Sequence, residues 1–132
     1  MAEAKTLIIA HGDCDGVTSA ALALSIYAGK VVFSHPVGIL GDLDEFSEDA
    51  DRIVILDIAL DERHWRQLAE RLAGYWEAIY VDHHPPPVGS LEFLREKGVK
   101  VNHEENACTA ELTFRYLKPR ADLSRVARIR KE

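Results

Sequence analysis

The chain has only two cysteines, Cys14 and Cys108, too few and too far apart for a disulfide framework, and both are expected as reduced thiols. No apolar run approaches the roughly 18–20 residues that a spanning helix needs. Met1 to Thr6 also lacks the basic start and apolar centre of a secretory signal, so no membrane partner is expected and a cytoplasmic location is the default. Neither a repeat of fixed period nor a low-complexity tract is present. Basic residues are scarce over most of the length: Met1 to Phe114 holds 9 Lys and Arg against 20 Asp and Glu, which argues against a broad nucleic-acid footprint. The balance reverses in Arg115 to Glu132, with 7 against 2. That stretch reads as a solvated helix face, the plainer reading, or as a phosphate contact.

What is there fits one folded domain. The 132 residues suffice for one core, and an apolar content of 47% with 29% charged residues excludes disordered and fibrous classes. Thr6 to Ala10 (TLIIA), Lys30 to Ser34 (KVVFS), Arg52 to Leu56 (RIVIL), Ala78 to Val81 (AIYV) and Val99 to Val101 read as short buried strands. Helices are expected over Val17 to Ala28 with Gly29 as a stop, Asp42 to Ala50, Glu62 to Ala73 and Ala107 to Leu117. Trp65, Leu68, Ala69 and Leu72 share one face of the third of these, which Gly74 closes. Pro85 to Gly89 reads as a stiff turn. Strands apolar on both faces, alternating with helices, predict an α/β fold: a Rossmann-like three-layer domain with a mostly parallel sheet between helices. Ligands of such sheets sit beyond the carboxyl ends of the strands.

Those ends carry one kind of chemistry. The first strand runs into His11-Gly12-Asp13-Cys14-Asp15-Gly16, a later one delivers Asp57, and another delivers Asp82, His83 and His84. If the first loop is extended, His11, Asp13 and Asp15 point the same way, with Gly12 and Gly16 allowing a close backbone path. Gathering these carboxylates costs several kcal/mol unless a cation offsets the repulsion. Imidazole mixed with carboxylate suits manganese, iron or zinc better than calcium, and the lack of convergent thiolates argues against structural zinc; manganese is the first choice. Two ions about 3.5–4 Å apart, bridged by Asp57, would activate water for in-line phosphoryl displacement. Adjacent histidines in an extended segment face opposite sides, so one would bind metal while the other contacts phosphate or protonates the leaving group. The prolines fix the exit of the chain.

Each residue also has a plainer reading. Asp57 taken singly is a helix cap, and only the set of strand-end ligands argues otherwise. His35 and His64 read as turn and surface residues. His103 reads first as a hydrogen-bonded histidine and second as a phosphate contact. Asn106 reads as the cap of the last helix, with Thr109 donating in the same turn, or both as part of an anion site at the helix start. Cys14 is expected to pack away from the ligands, and Trp65 and Trp76 to pack in the core or at its rim.

HGDCDGVTSAAL, VILDIA, VDHHPPP and NACTAELTFRYL resemble successive motifs of the DHH phosphoesterase superfamily, the group of RecJ-like exonucleases, oligoribonucleases and family II pyrophosphatases. The resemblance runs from about Thr6 to Leu117. It implies a catalytic domain binding two manganese ions, with magnesium as a substitute, usually followed by a smaller substrate-binding domain. His11, Asp13 and Asp57 would hold one ion, and Asp15, Asp57 and His83 the other. His84 would face the phosphate, and Asp82 would bind metal or orient the neighbouring imidazole. The close spacing of His11, Asp13 and Asp15 departs from family II pyrophosphatases and tilts the likeness toward RecJ. The family's fourth motif, an aspartate completing the second metal site, has no match: Asp122, in KPRADLSRV, is the only late aspartate. Residues 1–132 are therefore expected to be a single DHH domain, incomplete at its carboxyl end and without the second domain. The expected activity is manganese-dependent hydrolysis of phosphodiesters in single-stranded nucleic acid or short oligonucleotides. The alternative is a non-catalytic module, or one completed by a protein partner, in a replication or repair assembly.

Overall fold

In a computed structural model, which describes residues 4–118, the five strands form one wholly parallel sheet. They are β1 (Thr6–His11), β2 (Gly29–Ser34), β3 (Arg52–Leu56), β4 (Glu77–Asp82) and β5 (Lys100–His103), in the order β2-β1-β3-β4-β5. The helices are α1 (Cys14–Leu24), α2 (Ile39–Phe46), α3 (Trp65–Leu72), α4 (Ser90–Glu96) and α5 (Thr109–Leu117). Side chains alternate across each strand. Leu7, Ile9, Ile53, Ile55 and Tyr80 therefore pack against Ile39 and Leu43 of α2, Trp65, Leu68 and Leu72 of α3, and Leu94 of α4. Ile8, Ala10, Val54, Leu56, Ile79 and Val81 face the other way, onto Ala20 and Ala23 of α1 and Leu112 and Leu117 of α5. The result is the expected three-layer α/β architecture.

Strand order explains where a site can open. The chain steps from β1 outward to β2, then crosses back over β1 to β3 and continues away, so the connections leave β1 and β3 in opposite directions. A crevice forms at the carboxyl ends of this pair. His11 ends β1 and Asp57 follows β3.

Several boundaries differ from expectation. α1 begins at Cys14 rather than Val17, because the Asp13 carboxylate caps it by accepting the Gly16 N–H at 2.8 Å. Gly29 does not stop that helix; it opens β2, where a Cβ would lie 2.0 Å from the Thr6 carbonyl oxygen. α2 lies earlier than Asp42 to Ala50, since Ile39 and Leu43, one turn apart, are its buried anchors. α3 and α5 each start later than expected. α4 was not expected at all: seven residues give too short a period to read, and Leu94, wholly buried, holds it to the core. No described helix is long and apolar enough to cross a membrane. Asp122 and the basic stretch beyond Lys118 lie outside the described residues.

Candidate metal centre

Asp57 is the centre of the site. Its backbone has φ 63, the only positive value outside glycine among the described residues, a conformation that costs about 1–3 kcal/mol for such a residue. Its N–H donates to the Val81 carbonyl at 3.0 Å, which ties the β3 exit to β4. The side chain is 1% exposed. One carboxylate oxygen, Oδ1, accepts the Thr109 hydroxyl at 3.0 Å, while Oδ2 is buried without a hydrogen-bond partner among the described residues. Burial, then competition with the Asp13 carboxylate for a proton, then repulsion from Asp15 and Asp13, raise its pKa from 3.8 to about 7 against the opposing Thr109 bond. A buried carboxylate with an unpartnered oxygen is neutralised either by a proton or by a cation.

His11 and Asp13 approach from β1. His11 Nδ1 lies 3.2 Å from Asp13 Oδ2, close enough for attraction but without hydrogen-bond alignment, so this buried nitrogen is also unpartnered among the described residues. Burial raises the Asp13 pKa, yet the Gly16 N–H, the Asp57 side chain and His11 together bring it below the usual carboxylate value. Donor atoms of His11, Asp13 and Asp57 lie within 4.8 Å of one another, and so do those of Asp57, His83 and His84. Asp57 is common to both groups.

The loop that presents the first group is not extended throughout, so strict alternation of its side chains fails. Asp13 is the helix cap and Asp15 is already inside the first turn of α1. That turn presses on the end of β1: a Cβ on Gly16 would lie 1.9 Å from the His11 carbonyl oxygen, so glycine is required there. Gly12 has no such duty, its nearest neighbour being Phe33 Cβ at 4.0 Å. Cys14 does not pack inward either; it is exposed and free, as is Cys108.

Asp15 crosses to α5. Its two oxygens accept the backbone N–H groups of Ala110, at 2.8 Å, and Thr109, at 3.0 Å. The anion at this helix start is thus the chain's own carboxylate, favoured by unpaired N–H groups and the helix dipole. The expected capping by Asn106 is overturned: Asn106 lies in an exposed turn, Cys108 is the cap residue, and Asp15 satisfies the N–H groups instead. Nor does Thr109 serve its own turn with its hydroxyl, which goes to Asp57. Asp15 Oδ2 also lies 3.7 Å from His83 Nε2, so it borders the second group.

The paired histidines do not face opposite sides. β4 ends at Asp82, the period of two stops with it, and the His83 and His84 rings lie side by side with centroids 4.3 Å apart. His83 Nε2 is 3.4 Å from Asp57 Oδ1. His84 is clamped from below: its Nδ1 lies 2.8 Å from Asp82 Oδ1, and its backbone N–H donates to Asp82 Oδ2 at 3.1 Å. Asp82, 1% exposed, belongs to neither ligand group and orients His84. His103 Nε2 donates to the His84 carbonyl at 2.5 Å, the plainer of its two readings.

Tyr80, inside the apolar run of β4, also takes part. The buried Tyr80 hydroxyl lies 2.7 Å from the Ile58 carbonyl and 3.1 Å from Asp82 Oδ2. Its position two residues before Asp82, hence on the same strand face, was the available signal. His35 and His64 sit in local turns, bonded to the Gly38 N–H and to Asp61. Trp65 is in the core against Phe93, and Trp76 lies at the rim beneath Arg52. A cavity of about 400 Å³ lined by Lys5, Lys30 and Phe46 opens at the opposite, amino-terminal edge of the sheet, remote from this chemistry.

Residues 5–132 match the DHH family, N-terminal domain. No curated protein matches the chain. Among solved structures, an uncharacterized protein from Helicobacter pylori G27 superposes with a TM-score of 0.65 at 14% identity, over 87% of this chain and 36% of that one. An exopolyphosphatase-related protein from Bacteroides fragilis superposes with a TM-score of 0.51 at 17% identity, over 89% of this chain and 39% of that one. The chain therefore spans less than two fifths of either structure, and the likeness is one of fold.

Proposed function

This chain belongs to the DHH family, and from that premise we propose that it is a RecJ-like phosphodiester hydrolase domain, dependent on manganese, acting on single-stranded nucleic acid or short oligonucleotides. The observation that carries the proposal is Asp57, a buried residue common to two groups of ligand atoms, with one carboxylate oxygen unpartnered among the described residues. His11, Asp13 and Asp57 would hold one ion. Asp57, His83 and Asp15 would hold the second, and His84, fixed by Asp82, would turn its free Nε2 to the substrate phosphate. When bound, divalent ions at such a site activate water and neutralise charge on the phosphoryl oxygens. Magnesium would substitute with fewer imidazole contacts, since it favours oxygen ligands.

Calorimetry with Mn2+ tests the proposal. Wild type is expected to bind, and Asp57→Ala to bind about 100-fold more weakly or not at all. Equal affinity in the two would end the bridging role. Hydrolysis of a single-stranded oligonucleotide then tests the substrate class. Release of phosphate from pyrophosphate or polyphosphate, with oligonucleotides untouched, would replace it by a small-phosphate substrate.

A second reading, a domain that binds metal but turns over only when a protein partner completes it, is favoured by one feature. Both oxygens of Asp15 already accept N–H groups of α5, which weakens that carboxylate as a ligand for the second ion. Mn2+ binding that requires Asp57, without hydrolysis of any phosphoester, is the result that reading expects.

A further inference from the structure

We infer that Tyr80 is a positioning residue for this centre, its hydroxyl locking the strained Asp57 corner to the Asp82 clamp that orients His84. The inference rests on the hydrolase reading for its purpose, though not for its geometry. The ring of Tyr80 is 1% exposed and packs in the core layer with Ile55 and Leu68, a role that phenylalanine fills equally well. The hydroxyl adds nothing to that packing, and a buried hydroxyl costs stability unless it is bonded. Its partners explain its presence.

One proton faces two acceptors, the Ile58 carbonyl at 2.7 Å and Asp82 Oδ2 at 3.1 Å. The first bond acts on Asp57. Immediately before it, the Asp57 N–H is held by the Val81 carbonyl; immediately after it, the Ile58 carbonyl is held by Tyr80. Both anchors belong to β4, so the left-handed turn at Asp57 is pinned on each side by one neighbouring strand. The second bond acts on His84. Asp82 Oδ2 receives Tyr80 and the His84 N–H, while Oδ1 receives His84 Nδ1, so neither carboxylate oxygen is left to rotate away. The Nδ1 side of the His84 ring is thereby fixed against Asp82, which sets the orientation of the imidazole. A single hydroxyl thus coordinates the two arms of the site, from a position beneath the ligand atoms.

Tyr80→Phe keeps the ring and removes only the hydroxyl. The Mn2+ dissociation constant is expected to rise about tenfold by calorimetry. The imidazole 15N signals of His84 in the metal-free protein are expected to shift as the Asp82 clamp loosens. An unchanged dissociation constant, or unmoved His84 signals, overturns the inference. Wild-type protein that takes up no Mn2+ would sink the hydrolase reading instead, and the metal-free His84 signals alone then decide the role of Tyr80. Should Tyr80→Phe fail to fold, 3-fluorotyrosine placed at position 80 retains the hydroxyl. Its fluorine resonance is expected to shift as Mg2+ is added, and a constant resonance overturns the inference.

Discussion

At the scale of single residues, Asp57 combines three conditions that oppose a stable folded chain: a left-handed backbone, burial, and carboxylate neighbours. Its pKa near 7 gives this cost a pH signature. A group whose folded pKa lies above its unfolded value stabilises fully below the unfolded pKa, and that contribution is lost as pH rises through the folded one. The metal-free protein is therefore expected to lose stability from about pH 4 to beyond pH 7 on account of this residue, and Asp57→Asn to abolish that part of the slope; parallel melting profiles of the two proteins would contradict it. Metal must displace the same proton, so Mn2+ affinity should fall about tenfold per pH unit below 7. Removing the Thr109 hydroxyl, which holds the Asp57 pKa down, is expected to move this affinity profile to higher pH in Thr109→Val; a profile at the wild-type position would exclude that contact. That His11, Asp13, Asp57 and His83 come together was legible in the sequence, because strand ends of a parallel sheet converge, whereas Tyr80, inside an apolar strand, gave no such sign. How His83, His84 and Asp15 are oriented was not legible, since alternation holds only inside a strand and the chain leaves β4 and enters α1 at these positions.

At the scale of elements, α1 and α5 are joined through the site itself. Asp15 of α1 satisfies two N–H groups at the start of α5, and Thr109 of α5 reaches Asp57 beyond β3. Asp15→Ala is expected to cost about 1–2 kcal/mol in chemical denaturation, the scale of losing a charged helix cap, even without metal. A metal-free stability equal to that of wild type would reduce Asp15 to a ligand only. Gly16→Ala should be harsher, because the added carbon meets the His11 carbonyl with no room to yield, and a loss above about 3 kcal/mol or failure to fold is expected. The central strands were readable from sequence because each carries an apolar run, whereas β5, KVNH at the sheet edge, lies at Lys100–His103 rather than Val99 to Val101 because its residues are mostly polar. α4 and the caps were not readable, since a seven-residue helix and a carboxylate arriving from another helix leave no local periodicity.

At the scale of the molecule, strand order assembles the centre. The reversal of connection between β1 and β3 opens the crevice, β4 lies next to β3, and helices on both faces keep the sheet dry beneath it. Composition and run lengths foretold these layers, but not which strands would be neighbours, a choice made by tertiary packing. The acidic body suits this arrangement: ligand charge is concentrated at one rim, where cations would draw phosphate to a surface otherwise repulsive to it. Anomalous diffraction from crystals soaked in Mn2+ tests this account most directly. It predicts two manganese peaks that share the Asp57 carboxylate, one beside His11 and Asp13 and the other beside His83; manganese bound elsewhere, with Asp57 Oδ2 still bare, would contradict it.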